Sequence, residues 1–536
     1  MRWLGLVLMA VVVLYGQLMS TPFLNWDDDS NIFRNPNFLE GNWSVFWTQA
    51  YFGLYVPVTS LVWQVLYTLG KGSVWPFRML NLVLHAINCT LLFFLLASLA
   101  RRANLARSSV LVGLGVALFA LHPLQVQAVA WISGGRDLLS AGFGLAAILV
   151  FFRFPGFWGT HAAALLFALS MLSKPSSVVL AVALPLLALA FEPKDFRRAC
   201  IWGLAWLALA IFPIRMALGA QADFLLSLKW WERPLIMADS YCFYLLKLIW
   251  PQPLSANYGR PPSVVLEQPA VFFELLLVLG MISVLVWTIW RRDRRMILGV
   301  LWFLLLLPVS GLVPFGFQLI STTADHYHYL PMAVISALLV IRLENWRGRI
   351  PFPKMVLGLA ILILMGLSWA RLRIWQSDEA FFTDMKRTAP YSYPTGIGLS
   401  VVNCAQHANY QEGVHWTEVA LADRPHDINA LANQAFCYLG AKDMSSVLAL
   451  RSHLPFLDLA DLAVKRPTAY ASFLASMGTA LMETRNFSEG FQYLCEAFRL
   501  KPNEPRYKRN IEIAHQIMAT HALDPTCRDF RPSITQ

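Results

Sequence analysis

Residues 3–19, WLGLVLMAVVVLYGQLM, form a hydrophobic segment with Gln17 as its one polar side chain apart from Tyr15, and the stretch NWDDDSN follows at 25–31. A helix needs about 20 apolar residues to cross a bilayer, so the first segment is long enough to span a membrane or to be the apolar core of a signal peptide. We predict a retained membrane helix, because no small-residue cleavage site precedes the acidic stretch. Three consecutive carboxylates, Asp27 to Asp29, therefore lie directly outside a membrane span.

The composition of the whole chain indicates a polytopic membrane protein. Of its 536 residues, 57% are hydrophobic and 14% are charged, whereas a soluble domain is roughly 25% charged. The net charge of +11 comes from short basic clusters between apolar segments, a pattern typical of topology signals rather than of a nucleic-acid partner. The seven cysteines form no metal-binding pattern. Four of them lie in the hydrophilic C-terminal part and can pair in an oxidising compartment: Cys404, Cys437, Cys495 and Cys527.

The hydrophobic segments predict an all-α architecture with about eleven transmembrane helices. They are 3–19, 79–100, 108–121, 138–152, 159–172, 176–191, 199–217, 270–290, 296–314, 330–342 and 355–370. The segment at 237–250 is interpreted as a re-entrant or interfacial helix, because the basic clusters then all fall on the cytoplasmic side. Those clusters are Arg2, Arg101/Arg102/Arg107, Lys194/Arg197/Arg198, Arg291/Arg292/Arg294/Arg295 and Arg342/Arg347/Arg349/Lys354.

The chain divides by composition into a membrane domain, 1–375, and a more polar domain, 376–536. Within the first, the aromatic-rich loop at 22–78 is expected to lie along the membrane surface as short helices. Small residues and prolines of the second domain match a roughly 34-residue tetratricopeptide unit, whose usual task is to hold a peptide. They are Ser476, Met477, Gly478, Gly490, Ala497 and Pro502, with Gly413, Ala420 and Pro425 repeating the second half.

The predicted orientation places most of the unusual polar residues on the non-cytoplasmic face. A carboxylate of the Asp27–Asp29 triplet is suited to take a proton from an attacking hydroxyl, although a solvated loop or a helix cap remains the alternative. The pattern Asp27-x-Asp29 is also compatible with a divalent cation such as Mg²⁺ or Mn²⁺. No cofactor is otherwise expected.

Two cationic residues are candidates for binding a phosphate. Arg136 and Asp137 enter an apolar span as a pair, which is costly without a buried partner or a phosphate. Lys174 is a second candidate contact to an anionic headgroup, with snorkelling to the interface as the alternative. The segment Asp325–Tyr329 belongs to the same face, where aromatic residues are also expected as an interfacial belt. His122 at a helix end is more often structural.

Seven segments resemble, in collinear order, the transmembrane and tetratricopeptide repeat-containing O-mannosyltransferases and their bacterial relatives, which belong to the GT-C glycosyltransferase superfamily. The segments are NWDDDSNIFRNP (25–36), PVTSLVW (57–63), PFRMLNLVLHAIN (76–88), ALHPLQVQAVAWISGGRDLLSA (120–141), LSKP (172–175), WPQPLSANY (250–258) and ADHYHYLP (324–331). Two positions depart from the pattern, because Val56 and His326 stand where the relatives commonly carry an arginine.

The resemblance implies an inverting transferase that moves one sugar from a polyprenyl-phosphate donor to a hydroxyl. It implies Asp27 or Asp28 as the catalytic base, Asp27 being preferred. The donor phosphate would be bound by Arg136 and Lys174, with His326 in part replacing the missing arginine. The supporting polar residues are Asp29, His122, Asp137, Tyr258, Asp325, Tyr327 and Tyr329.

The repeat domain favours a polypeptide acceptor, modified on Ser or Thr. The same chemistry on a glycolipid or polysaccharide is one alternative, and a non-catalytic membrane scaffold or transporter is another. The short N-terminus favours a bacterial inner membrane, with the site and the C-terminal domain in the periplasm and undecaprenyl phosphate as the lipid.

Overall fold

The computed structural model describes residues 1–33, 35–102, 109–221, 228–289, 293–345, 353–521, 523–524 and 526–527. Within these ranges the chain is all-α, as predicted, and has no β-sheet; its β interaction is an isolated bridge between Tyr51 and Leu54. The chain forms two compact units, Met1–Ala380 and Phe381–Gln536. Several arginines used in the sequence analysis lie outside the described residues: Arg34, Arg107, Arg291, Arg292, Arg347 and Arg349.

The first unit is a bundle of apolar helices joined by short 3-10 turns. Its helices are α1 (Arg2–Tyr15), α2 (Pro36–Leu39), α3 (Val45–Thr48), α4 (Pro57–Leu69), α5 (Trp75–Arg102), α6 (Ser109–Leu121), α7 (Val126–Ala130), α8 (Gly135–Arg153), α9 (Phe157–Ser173), α10 (Leu180–Phe191), α11 (Phe196–Gln221), α12 (Glu232–Ile249), α13 (Pro262–Leu266), α14 (Ala270–Ile289), α15 (Arg294–Leu306), α16 (Pro331–Asn345) and α17 (Pro353–Leu372).

Five described stretches are helical, long and apolar enough to cross a membrane: Trp75–Arg102, Ile132–Arg153, Pro193–Gln221, Ala270–Thr288 and Met355–Gln376. A sixth is formed if α6 and the bent segment Pro123–Ala130 count as one broken span, with a bend of 52°. The protein is therefore an integral membrane protein. Other predicted spans form shorter apolar helices, for which the eleven-span count remains a prediction: Arg2–Leu18, Phe157–Ser173, Pro175–Phe191 and Pro331–Leu343.

The break after α6 positions the polar segments of the first unit. Pro123 has no backbone N–H to continue a helix, and the chain turns at His122. A second break at Trp131 separates α7 from the 3-10 turn Ile132–Gly134, after which α8 begins at Gly135. The N-terminus of α8, with Arg136 in its first turn, is thereby held inside the protein rather than in solvent.

The second unit consists of packed helices. They are α18 (Asp378–Thr388), which begins just before the unit boundary, α19 (Tyr393–Val401), α20 (Tyr410–Asp423), α21 (Ile428–Gly440), α22 (Met444–Ala449), α23 (Leu459–Lys465), α24 (Pro467–Glu483), α25 (Phe487–Leu500) and α26 (Pro505–Thr520). Where α24 packs on α25, a Cβ on Gly478 would lie 2.8 Å from the carbonyl oxygen of Gly490, which is too close even for alanine, so this approach of the two backbones requires glycine. Two disulfides, Cys404–Cys437 and Cys495–Cys527, pair the four tail cysteines.

Candidate active site

The acidic loop follows α1 and turns sharply at Asp27. This residue has a φ of 61°, a left-handed conformation that is uncommon outside glycine. The amide of Asn31 donates to the carbonyl oxygen of Asp27 at 2.7 Å, which leads the chain into the π-helical turn Asp29–Phe33. Such conformations cost free energy and are concentrated at functional sites.

The loop is held against the turn that precedes α8. The indole N–H of Trp131 donates to the carbonyl oxygen of Trp26 at 3.0 Å. The amide and the hydroxyl of Ser133 both donate to Oδ1 of Asp28, at 2.9 and 2.8 Å. Trp26 and Asp28, the residues on either side of Asp27, are therefore fixed by the turn at Trp131 and Ser133. Arg136 follows this turn, three residues after Ser133.

Asp28 is fully buried, and its hydrogen bonds from Ser133 hold the acidic loop in place. Burial raises the pKa of its carboxyl to about 7, while the positive charge of Arg78 and the hydrogen bonds from Ser133 lower it. Arg78 is itself buried and donates to the carbonyl oxygens of Ala130 and Pro22. Because its Oδ1 is already hydrogen-bonded twice, Asp28 is the less suitable of the two predicted bases.

Asp27 is less enclosed and makes a different set of interactions. Burial raises the pKa of its carboxyl to about 6; Arg136 lowers this pKa and Asp29 raises it. Asp27 also interacts with the hydroxyl of Tyr327. Burial raises the pKa of Tyr327, the charge of Arg136 lowers it, and the charges of Asp137 and Asp27 raise it. A carboxyl with a pKa near 6 is ionised at neutral pH and is more basic than an ordinary aspartate.

Arg136 lies in the first turn of α8 and is nearly buried. Its guanidinium is 4.9 Å from the centre of the Trp131 ring. Its Nη1 atom is buried and has no hydrogen-bond partner among the described residues. A buried guanidinium nitrogen that faces no protein acceptor is suited to bind an anion, and a helix N-terminus favours negative charge in the same place.

Lys174 is held beside Arg136 by the carboxylate of Asp137, which follows Arg136 in α8. Its Nζ is 2.5 Å from Oδ1 of Asp137, and it lies 5.2 Å from the centre of the Tyr327 ring. Burial lowers the pKa of Lys174, and the charge of Asp137 raises it. The sequence predicted both cations as phosphate ligands, and the structure brings them together with Asp27 and Tyr327.

His326 also belongs to this cluster, although it does not supply a cation. Its ring is 5.2 Å from that of Trp131 and 4.3 Å from that of Tyr327, centre to centre. Burial, and then the positive charges of Lys174 and Arg136, lower the pKa of His326 well below its ordinary value. The ring is therefore neutral at pH 7, and a neutral imidazole retains one N–H hydrogen-bond donor.

Four of the predicted supporting residues form other contacts. Tyr258 donates its hydroxyl to Oδ1 of Asp325 at 2.5 Å. The hydroxyl of Tyr329 lies 2.8 Å from Nδ1 of His85 and accepts from Asn88. Nδ1 of His122 accepts from the amide of Leu124, at the break after α6. These contacts link neighbouring helices and turns of the first unit.

The third acid, Asp29, is the first residue of the π-helical turn. It influences the pKa of Asp27, so the two carboxyls are close enough to interact. Within the described ranges, no group of three or more His, Cys, Asp or Glu side chains is arranged to hold a metal ion. Mg²⁺ is often bound by one or two carboxylates together with substrate phosphates, and a cation at Asp27 and Asp29 therefore stays a prediction.

Several residues that build the site were not singled out from the sequence. A signal existed for Arg78, because an arginine at the start of an apolar span needs a buried partner. Ser133 and Trp131 carry no such signal, since a serine or tryptophan near a membrane interface is ordinary. Asn25 and Asp378 hydrogen-bond across 353 residues of sequence, a pairing that only the fold reveals.

The comparisons with known proteins give a partial similarity. No protein-family model matches the chain. The human protein O-mannosyl-transferase TMTC3 is 33% identical over 102 residues, which cover 19% of this chain and 10% of that protein. The matched segment thus spans about a tenth of the relative's length. This distant similarity is consistent with a glycosyltransferase and specifies neither the donor nor the acceptor.

Proposed function

We propose that the first unit is an inverting glycosyltransferase of the GT-C type, with about eleven membrane spans, that uses a polyprenyl-phosphate sugar. The observation that supports this best is the proximity of a basic carboxyl to a guanidinium that has one buried nitrogen with no hydrogen-bond partner among the described residues. Asp27 has a pKa raised to about 6 and lies within the electrostatic reach of Arg136. Nη1 of that arginine is buried without a hydrogen-bond partner in the described part of the chain.

In the proposed reaction the oxygen of an acceptor hydroxyl attacks the anomeric carbon, and the Asp27 carboxylate takes the proton. The bond between the anomeric carbon and the phosphate oxygen breaks, and polyprenyl phosphate leaves with the bonding electrons. The configuration inverts because the attack and the departure occur on opposite faces of an oxocarbenium-like sugar. Arg136 and Lys174 stabilise the departing phosphate, so a general acid is not required.

The roles proposed for the neighbouring residues follow from their contacts. Asp137 fixes Lys174 through the ion pair of 2.5 Å. Neutral His326 donates a hydrogen bond to the phosphate, and Tyr327 covers Lys174 with its ring. If a divalent cation takes part, Asp27 and Asp29 would hold it and it would supply further positive charge to the phosphate.

We further propose that this site faces the periplasm of a bacterial inner membrane. The basic clusters support that orientation through the positive-inside rule. The pairing of the tail cysteines in Cys404–Cys437 and Cys495–Cys527 also supports it, because such bonds persist in oxidising compartments. In this orientation undecaprenyl phosphate is the expected lipid.

The helices of the second unit support a polypeptide acceptor, which would be modified on the hydroxyl of a Ser or Thr. Helical repeats present a concave surface to extended peptides, whereas a lipid acceptor needs no such surface. A glycolipid or polysaccharide acceptor remains the alternative within the same chemistry. A non-catalytic scaffold or transporter is the alternative outside it. It leaves without a role the basic carboxyl of Asp27 and the Nη1 atom of Arg136, which has no hydrogen-bond partner among the described residues.

The test is a transfer assay with the purified full-length protein in lipid vesicles. Radiolabelled polyprenyl-phosphate sugars of several kinds are supplied together with bacterial periplasmic proteins or with membrane glycolipids. Label in the protein fraction, with stoichiometric release of polyprenyl phosphate, supports the proposal. Label in the lipid fraction alone supports the glycolipid alternative, and the absence of turnover with every donor supports the scaffold.

A further inference from the structure

The acidic loop is held on a second side by residues that follow the last apolar helix. The carboxylate of Asp378 accepts two hydrogen bonds from Asn25. The backbone N–H of Asn25 donates to Oδ1 at 2.8 Å, and its side-chain Nδ2 donates to Oδ2 at 2.5 Å. Nearby, Nε2 of Gln376 donates to Oε1 of Gln17, just after α1, at 3.2 Å. The start and the middle of the segment that leads to Asp27 are therefore both bound to residues 376–378.

Asp27 thus lies between two sets of contacts. Asn25, two residues before it, is bound by Asp378, and Asp28, the residue after it, is bound by Ser133. The left-handed φ of 61° at Asp27 costs free energy and persists only where the surrounding contacts enforce it. Loss of either set would allow the turn to relax and the carboxyl to move.

Burying the charged carboxylate of Asp378 costs free energy, which is more than a simple link between two segments requires. Its side chain is 9% exposed. Burial raises the pKa of Asp378, the two hydrogen bonds from Asn25 lower it, and the charge of Asp29 raises it. A neutral acceptor would avoid burying a second negative charge near Asp29. A carboxylate, however, is the side chain whose two oxygens accept both N–H groups of Asn25 at once.

We infer that Asp378 is a positioning residue that acts through Asn25 to hold the turn on which Asp27 lies. This inference rests on the proposed function of Asp27 as the base. The residue touches neither the donor nor the acceptor. Its removal should therefore lower the turnover number and leave the KM for the donor unchanged, because the phosphate contacts of Arg136 and Lys174 are intact.

The hydrogen-bonding pattern offers an exchange experiment. In Asp378→Asn an amide nitrogen faces the side-chain nitrogen of Asn25, and in Asn25→Asp two carboxylates face each other. In the double variant Asn25→Asp/Asp378→Asn the backbone amide still donates to an amide oxygen, and the new amide donates to the new carboxylate. Both hydrogen bonds and the net charge are restored.

We expect each single variant to lose roughly 10- to 100-fold in turnover, as small displacements of catalytic groups do, and the double variant to recover most of it. The exposed neighbour gives the matched control, Glu379→Gln, which should turn over like the wild type. Single variants as fast as the wild type would overturn the inference, as would a double variant no faster than the singles.

The pH profile separates positioning from a loss of folded protein. A relaxed turn exposes Asp27 to water, so its pKa falls towards the ordinary value and the acid limb of the profile moves to lower pH. Arg136, Asp29 and Tyr327 interact with this carboxyl, and none of them is changed in the variants. The limb should return to its original position in the double variant. An acid limb that stays in place in both single variants would contradict the inference.

A measurement without turnover distinguishes the failure of this inference from that of the proposed function. If the wild type transfers no sugar from any donor, the proposed function fails. Hydrogen exchange of the amides at 25–31 still tests the contact, because exchange should be faster in the single variants and normal in the double variant. Unchanged exchange in the single variants would overturn the role of Asp378.

Discussion

Asp27 and Asp28 are neighbours in the sequence, but their surroundings give the two carboxyls different roles. The Oδ1 atom of Asp28 accepts two hydrogen bonds from Ser133, and the buried charge of Arg78 acts on it. Asp27 lies on a strained turn and interacts with Arg136. Environment rather than residue type thus separates the residue that holds the loop from the residue that can accept a proton.

The pH dependence of transfer tests the state of Asp27. The folded-state pKa is raised to about 6, so the active carboxylate accumulates as the pH rises through this value. Activity should therefore be lost on acidification around pH 6, well above the range of an ordinary aspartate near 4. Initial rates well below the KM for the donor, between about pH 4 and 8, give the profile of kcat/KM, which reports the pKa of the free protein. A midpoint near 4 would show that this carboxyl is not desolvated.

The hydrogen bond between Ser133 and Asp28 is tested by Ser133→Ala. The variant loses the 2.8 Å bond from the hydroxyl to a buried carboxylate. Bonds to charged groups contribute about 1.5–3 kcal/mol, so the thermal unfolding midpoint of the detergent-solubilised protein should fall when it is measured above the Asp28 pKa of about 7, where this carboxyl is ionised. The control Ser140→Ala removes a buried serine of α8 that pairs with neutral Ser170 at 3.2 Å. Equal effects of the two substitutions would argue against a charged Asp28.

At the scale of single elements, the break between α6 and α8 is the decisive feature. The sequence predicted apolar spans at 108–121 and 138–152 and polar residues between them. It did not reveal that the intervening segment bends by 52° after α6 and forms α7 and two short turns inside the protein. The reason is physical, because hydropathy reports the average polarity of a window, whereas the path of a buried connection depends on contacts such as the hydrogen bond from Asn81 to Trp131.

The helix α8 also decides which predicted site residues meet. Arg136 and Asp137 share its first turn, and each recruits one partner, Trp131 for the arginine and Lys174 for the aspartate. The motif Asp325–Tyr329 was predicted as one group, but its side chains diverge. Tyr327 faces Lys174, while Asp325 contacts Tyr258. Sequence spacing alone does not determine the directions of side chains in a short 3-10 turn.

Donor binding should depend on the first turn of α8. Arg136→Gln removes the buried charge. The affinity for the donor should therefore fall by about 1.5–3 kcal/mol, or roughly 10- to 150-fold. Arg153→Gln, at the exposed last residue of the same helix, is the matched control and should bind normally. Dissociation constants for a polyprenyl-phosphate sugar, from fluorescence or calorimetry in vesicles, give the comparison. Normal binding by Arg136→Gln would remove this arginine from the phosphate site.

At the scale of the whole molecule, composition was sufficient to predict an all-α integral membrane protein. It was less informative about the number of spans, since among the described residues five or six helices meet the length and apolarity of a span and others are shorter. Pro175 and Pro331 each begin a helical segment, within a residue of where the predicted spans 176–191 and 330–342 begin. The cysteine pairs, which the sequence left open, are Cys404–Cys437 and Cys495–Cys527.

Orientation in the membrane can be measured through these cysteines. The proposed periplasmic location predicts that intact cells treated with a membrane-impermeant reductant expose the thiol of Cys527, the exposed member of the pair Cys495–Cys527, to an impermeant maleimide reagent. Buried Cys89 in α5 should remain unlabelled in the folded protein and serves as the internal control. Labelling of the tail only after the inner membrane is permeabilised would place the second unit in the cytoplasm and contradict the proposed orientation.

The central claim, that Asp27 is the catalytic base, is tested most directly by the single-turnover rate of Asp27→Asn with a bound polyprenyl-phosphate sugar. The amide has the shape of the carboxyl but cannot accept the proton, so the rate should fall by about 10²- to 10⁴-fold. The variant should stay folded, because the raised pKa means that ionisation of Asp27 disfavours the folded state and the amide removes that charge. Donor binding should be retained. A folded, donor-bound Asp27→Asn protein that transfers sugar at the wild-type rate would contradict the account.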